Sequence, residues 1–474
     1  MQLSPRSFIM KPLIAVVGAT GTGKSKLAVD LASRFNGEII NGDAMQMYCG
    51  LPIITNQIPV EERNGIPHHL ISCVKLEEQP WWVGRFKTEC LRLIEEIHGR
   101  GKLPILVGGT HYYTQPVLFK HQLVGEDPSA AEGEEGDNDD SASSAKWPIL
   151  DSPTDVVLQK LREVDPVMAD RWHPNEPRKI RRSLEIYFQT GRPASEVYAE
   201  QQRLKQGQLR FPTLIFWVHS EKETLHDRLE KRVDAMIEHG LMEEARCMSD
   251  YVQEKKTQGV PVDLTRGVWV SIGYKELAPY FEALYSGSLN EPELESLKRS
   301  CVESVKSATR QYAQAQIKFI RTKLWKALAD AGSTDRLYLL DSTDVESWTQ
   351  KITDPSELVV RTLLDDGPAP DPKSLSELAR RILGAIKTEP QSELTFMTKC
   401  FTCDTCRKTM MGEEQWQIHI KGNVHKRALR RAAKMAARDD YLRRQQETPK
   451  DIQEGDRLST AEPDTQLSSS LQNP

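Results

Sequence analysis

No apolar run in this 474-residue chain approaches the roughly 20 residues needed to cross a bilayer, and none reads as a membrane span. Nothing at the start has the charge and apolar pattern of a secretory signal peptide. No internal repeat is present, so a solenoid or propeller is not expected. Cysteine is sparse. Cys49, Cys73, Cys90, Cys247 and Cys301 are scattered through the body of the chain, which suits reduced thiols rather than a disulfide scaffold. The net charge of −5 is unremarkable but conceals a local asymmetry. Gly125 to Lys146 holds eight acidic residues and one basic, whereas Lys421 to Arg444 holds nine basic and two acidic.

What is present begins with Gly18-Ala19-Thr20-Gly21-Thr22-Gly23-Lys24-Ser25. This is the G-x-x-x-x-G-K-[ST] spacing of a phosphate-binding loop. It follows the apolar run 13–17 and precedes a helical pattern with Leu27, Leu31 and Phe35 on one face. Glycines let backbone N–H groups turn toward an anion, and the new helix presents its positive end. Lys24 adds a point charge, and Ser25 is the expected magnesium ligand. The loop does not name the reaction, because kinases, other ATP-binding NTPases and some transferases share it.

Residues 12–122 alternate strand and helix, which predicts an α/β fold with a parallel sheet flanked by helices. Ligands then bind at the carboxyl ends of the strands. Thr20, Asp43 and Thr110 lie at such ends and are expected in one crevice. The predicted organisation is a catalytic core in two parts, 10–122 and 211–345. Between them lie an acidic, disordered insertion over 123–150 and a helical insertion over 151–210. A linker over 346–397, a zinc finger over 398–428 and a basic, then polar, tail over 429–474 complete it.

Asp43 by position alone binds substrate, acts as a general base, or caps the following turn. Arg178, Lys179, Arg181 and Arg182, around Ile180, form a cationic patch on a helix, suited to phosphates and splayed bases. Lys306 and Arg310 share a face of a later helix and offer a second route to RNA, with Val302, Val305, Tyr312 and Phe319 packing inward. The adjacent His68 and His69 point apart on a loop, which argues against a shared metal.

The segments NGDAMQMY, GIPHHL, ILVGGTHYY, HPNEPRKIRRSLEIY, KRVDAMIEHGLMEEA, SIGYKE and ATRQYAQAQIKFIR occur in this order. Together they resemble the tRNA dimethylallyltransferases (tRNA isopentenyltransferases), especially the fungal and animal members. The resemblance spans roughly residues 10–345 and resumes at the finger. It implies transfer of a five-carbon allyl group from dimethylallyl diphosphate to the N6 amine of adenine 37 of tRNA, beside the anticodon. On this reading Asp43 is the general base, with Thr20 and Thr110 at the reaction centre. Gly18 to Ser25, Mg²⁺ and Arg232 hold the diphosphate. Asp43, Ala44, Met45, Gln46 and the stretch Arg178 to Arg182 contact tRNA. Two departures stand out. Ala44 occupies a position that is commonly Ser, and Val270 one that is often Gln or Arg.

Near the end, Cys403-x2-Cys406-x12-His419-x5-His425 fits a Cys2His2 zinc site of ββα type. Trp416 is expected on the inward face of its helix. The histidine spacing and flanks resemble RNA-associated matrin-type fingers. The finger is expected to add tRNA affinity, with protein binding as the rival role. A P-loop kinase of a nucleoside or small metabolite remains the alternative enzyme, and a nonenzymatic RNA-binding protein the alternative class. A cytoplasmic location is expected, with mitochondrial and nuclear pools; the segment before Met10 has the composition of a weak organelle-targeting extension.

Overall fold

The computed structural model describes residues 11–109, 111–120, 147–204, 208–386, 400–406, 408–411 and 413–446. Thr110 and nearly all of the acidic insertion lie outside the described residues. The chain divides into two compact units. One comprises residues 1–151 and 185–393, the other 152–184 and 394–474.

The first unit is built on a parallel sheet. Its strands are β1 (Leu13–Gly18), β2 (Gly37–Asn41), β3 (His68–His69), β4 (Leu103–Val107), β5 (Thr213–His219) and β6 (Leu337–Asp341), in the order β3-β2-β4-β1-β5-β6. Every residue of β1, β2, β4 and β5 is buried, the signature of a parallel sheet covered on both faces. Side chains alternate between two cores. Leu13, Ala15 and Val17 join Ile215 and Trp217 on one face. Ile14 and Val16 join Leu214, Phe216 and Val218 on the other.

Helices α1 (Lys24–Phe35), α2 (Val83–Gly99) and α3 (His111–Leu118) follow β1, β3 and β4. The second unit contains α4 (Thr154–Val164), α5 (Pro166–Arg171) and the start of α6 (Pro177–Thr190), within which the division falls. Helix α7 (Ala194–Leu204) leads back to β5. Then come α8 (Lys222–Glu238), α9 (Leu241–Thr257), α10 (Tyr274–Ser286) and the long α11 (Glu291–Phe319). A π turn over Ile320–Leu324 leads into α12 (Trp325–Asp330).

The expected linker over 346–397 is corrected in its described part. A π turn over Thr349–Thr353, α13 (Asp354–Leu364) and α14 (Glu377–Ala385) fold there. Trp348, Ile352, Val359, Val360 and Leu363 complete the core on the α1 face. Pro355 and Pro372 sit at the starts of α13 and of a short 3-10 turn, where a missing N–H does no harm, while Pro368 and Pro370 lie in the irregular segment between them.

In the second unit, β7 (Cys400–Cys403), β8 (Lys408–Met411), α15 (Glu413–Lys421) and α16 (Asn423–Gln446) form the finger. The strands pair antiparallel.

Candidate active site

The loop between β1 and α1 turns through left-handed backbone at Gly21 (φ 84°) and Gly23 (φ 91°). Thr22 Oγ1 and Lys24 Nζ both donate to Ala19 O, at 2.9 and 2.8 Å. Thr20 N donates to Gln316 Oε1 at 2.8 Å, and Gln316 Nε2 donates to Gly109 O at 3.1 Å. One buried amide on α11 thus ties the phosphate loop to the end of β4. The fit is close: a Cβ on Gly109 would stand 2.1 Å from Gln316 Nε2.

Desolvation lowers the Lys24 ammonium to about 8; the charge of Asp43 opposes that shift and the charge of Arg232 adds to it. Lys24 and Asp43 follow the carboxyl ends of β1 and β2, and Lys24 lies within electrostatic reach of both Asp43 and Arg232, which places the candidate crevice at that edge of the sheet. Arg232, on α8, is itself lowered to about 10 by desolvation. Its Nε is buried with no hydrogen-bond partner. A buried, unsatisfied donor on a cation is expensive, and an anion accepting from it would relieve that penalty.

Asp43 follows β2 on a tightly framed turn. Its N–H donates to Asn41 Oδ1 at 3.0 Å, and Asn41 Nδ2 donates to Asp43 O at 2.9 Å and Leu70 O at 2.8 Å. Asp43 Oδ1 accepts from Met45 N at 3.1 Å. The capping role is real, and the same turn fixes the carboxylate beside Lys24. Gln46 Nε2 donates to Asn56 O at 2.9 Å. Glu244, in the GLMEEA segment, accepts from Ile53 N at 2.9 Å and Ile54 N at 2.7 Å, anchoring the chain that leaves this turn.

Other expected residues fall differently. Arg178 and Lys179 are exposed on α6, and Arg181 and Arg182 half-buried. Ile180 is fully buried, so its side chain packs inward. Lys306 pairs with Asp234 at 2.7 Å and Arg310 with Glu230 at 2.6 Å; these cations join α11 to α8 instead of offering bare charge. The inward stripe of α11 is Cys301, Val305, Thr309, Ala313 and Gln316, and Tyr312 lies exposed. His69 Nε2 lies 2.7 Å from Glu38 Oε2, while His68 Nδ1 lies 2.8 Å from Ile66 O.

In the finger, the ligand atoms of Cys403, Cys406, His419 and His425 all lie within 4.8 Å of one another. Two thiols and two imidazoles so gathered fit tetrahedral Zn²⁺. Gly422 separates α15 from α16, and the bend brings His425 back to the cysteines. Trp416 stacks on Phe401 (5.6 Å between centroids) and on His419 (6.0 Å).

A family model described as IPP transferase matches residues 46–323, and one described as a zinc finger of C2H2 type matches residues 401–425. The tRNA dimethylallyltransferase of Schizosaccharomyces pombe is 39% identical, with 92% of this chain and 99% of the relative covered. The chain belongs to the IPP transferase family. The Saccharomyces cerevisiae tRNA dimethylallyltransferase is 36% identical over 92% of this chain and 96% of its own length. A crystal structure of a eukaryotic dimethylallyltransferase acting on tRNA superposes with a TM-score of 0.73 at 35% identity, covering 91% of this chain and 99% of that one.

For an IPP transferase, the residues gathered in the crevice are Thr20, Lys24, Asp43 and Arg232, with Gln316 joining their supports. Sequence reading missed Gln316 and Glu244. Both lie inside the segments that carried the resemblance, but a mid-helix amide or carboxylate has no spacing signal of its own.

Proposed function

We propose that this IPP transferase moves a dimethylallyl group from dimethylallyl diphosphate to the N6 amine of adenine 37 of tRNA, releasing diphosphate. The observation that carries the reading is the meeting of two desolvated cations, Lys24 and Arg232, with one carboxylate, Asp43. An allylic carbon–oxygen bond breaks more readily when the departing diphosphate is neutralised. Lys24, the Arg232 Nε and the amides of the loop supply that neutralisation. The adenine amine is a weak nucleophile because its lone pair is delocalised. Asp43, accepting its proton, keeps electron density on nitrogen as the new carbon–nitrogen bond forms. The base is expected to leave the anticodon stack and enter from the side opposite the diphosphate.

The donor set suits Mg²⁺: Ser25 offers a hydroxyl in the first turn of α1, a hard oxygen ligand beside the diphosphate, whose own oxygens complete such a site. Bound there, Mg²⁺ would offset charge on the diphosphate. Arg178, Lys179, Arg181 and Arg182 are assigned to the RNA backbone and loop bases, and the finger to added affinity.

Incubating the chain and unmodified tRNA with labelled dimethylallyl diphosphate, and in parallel with labelled ATP, tests the reading. Label should enter RNA only from the prenyl donor. Phosphoryl transfer from ATP to a small hydroxyl acceptor, without prenylation, would favour the kinase.

A further inference from the structure

The IPP transferase match ends at residue 323, yet chain beyond that point reaches the phosphate loop. Trp348 is 8% exposed and lies against the start of α1. A Cβ on Gly23 would stand 2.6 Å from its Cη2 and 2.8 Å from its Cζ3. Lys26 Nζ sits 5.1 Å from the indole centroid. The indole Nε1 donates to Asp30 Oδ2 at 3.0 Å. Residues 23, 26 and 30 step by three and four, so they form one face of the helix. The contact continues down α1: Arg34 pairs with Glu357, which also binds Arg361 at 2.6 Å, and Arg361 lies 5.6 Å over the Phe35 ring.

The anion site is the N-terminal end of this same helix. Gly23 carries the left-handed turn that opens it, and the next residue, Lys24, faces Asp43 and Arg232. The large ring behind Gly23 leaves that turn no room to relax outward. A misplaced loop amide weakens an electrostatic site steeply, because the donors act only when pre-aimed.

We propose that Trp348 is a positioning residue for the diphosphate. It holds Gly23 and the first turn of α1 in the anion-accepting form, so donor affinity depends on a side chain that does not touch the donor. The proposal rests on the prenyl-donor reading above.

The test uses the full chain and varies dimethylallyl diphosphate and tRNA separately in steady state. Calorimetric titration with inorganic diphosphate runs alongside. Trp348→Leu removes the ring, and the donor KM should rise about tenfold with tRNA KM little changed. Trp348→Phe keeps a ring over Gly23 and should restore most of that loss. Asp30→Ala frees the indole at the helix surface without opening the core, and should raise donor KM about threefold. Affinity for inorganic diphosphate should fall in parallel.

Wild-type donor KM and diphosphate affinity in folded Trp348→Leu would overturn the proposal, as would donor and tRNA KM rising together. Should Trp348→Leu not fold, unchanged donor KM and diphosphate affinity in Asp30→Ala overturn it instead. A wild-type chain that binds inorganic diphosphate yet transfers no prenyl group sinks the functional reading, and calorimetry then decides this one.

Discussion

Two side chains in the crevice are tuned by their surroundings rather than by identity. Lys24 is held near 8 by desolvation, with the Arg232 charge adding to the shift. Lowering a lysine disfavours its charged form in the folded chain, so Lys24 loses its proton as pH rises through about 8. Between that value and the ordinary 10.5, the unfolded chain binds more protons, and this group's contribution to stability rises with pH. Donor capture responds in the opposite direction. The kcat/KM for dimethylallyl diphosphate should decline above about pH 8, and Lys24→Arg should move the decline to higher pH. A profile flat through that range in the wild type would show that the Lys24 charge is not used. Asp43→Ala should lower transfer by at least ~100-fold while leaving tRNA affinity, measured by filter binding, within severalfold. The phosphate loop was legible from its glycines and the Lys24-Ser25 pair. Asp43 was legible only as a set of alternatives, because a carboxylate after a strand caps a turn as readily as it takes a proton. Here the cap and the crevice are the same residue.

At the scale of elements, β2 carries a charge cluster at the end remote from Asp43. Glu38 is 3% exposed. Arg100 reaches it at 2.6 Å, Lys102 at 2.9 Å and His69 at 2.7 Å. Burial alone would raise this carboxyl, but hydrogen bonds from Arg100, His69 and Lys102 outweigh it and hold the group down at about 2. A depressed carboxyl contributes stability that is fully present above its ordinary 4.5 and lost as pH falls through about 2. Glu38→Ala should therefore destabilise the chain by ~3 kcal/mol in urea at neutral pH, and the difference from wild type should shrink in acid. The cluster also accounts for the histidine pair, whose members bond to different partners. Strand β3 escaped sequence reading because two polar histidines carry no apolar alternation. Helices α13 and α14 escaped because nearby prolines and acidic residues masked their short buried stripes, Val359, Val360 and Leu363 in α13 and Leu378, Ala379 and Leu383 in α14. On α11, the outward cations looked like an RNA face until Asp234 and Glu230 on α8 were seen to pair with them.

Across the whole molecule, the residues of the candidate crevice fall in one unit and the finger in the other. The order of segments along the sequence made the family legible over most of the first unit. The unit boundary was not, because it falls inside α6, a continuous helix with no break in pattern. The finger was readable from ligand spacing alone, since metal geometry constrains sequence more tightly than packing does. Purified protein should carry one zinc per chain by atomic emission. Cys406→Ser should remove it and weaken tRNA binding, most at low salt, and should flatten the salt dependence, because the lost phosphate contacts are screened at high salt in both proteins. The kcat at saturating tRNA should stay near wild type. Loss of kcat without loss of affinity would place the finger in the chemistry instead.

The most direct test is mass spectrometry of nucleosides from tRNA incubated with dimethylallyl diphosphate and either the wild-type chain or Asp43→Ala. The account predicts isopentenyladenosine beside the anticodon with the wild type. With Asp43→Ala, tRNA should remain bound and unmodified. Equal product from both proteins, or none from the wild type, would contradict it.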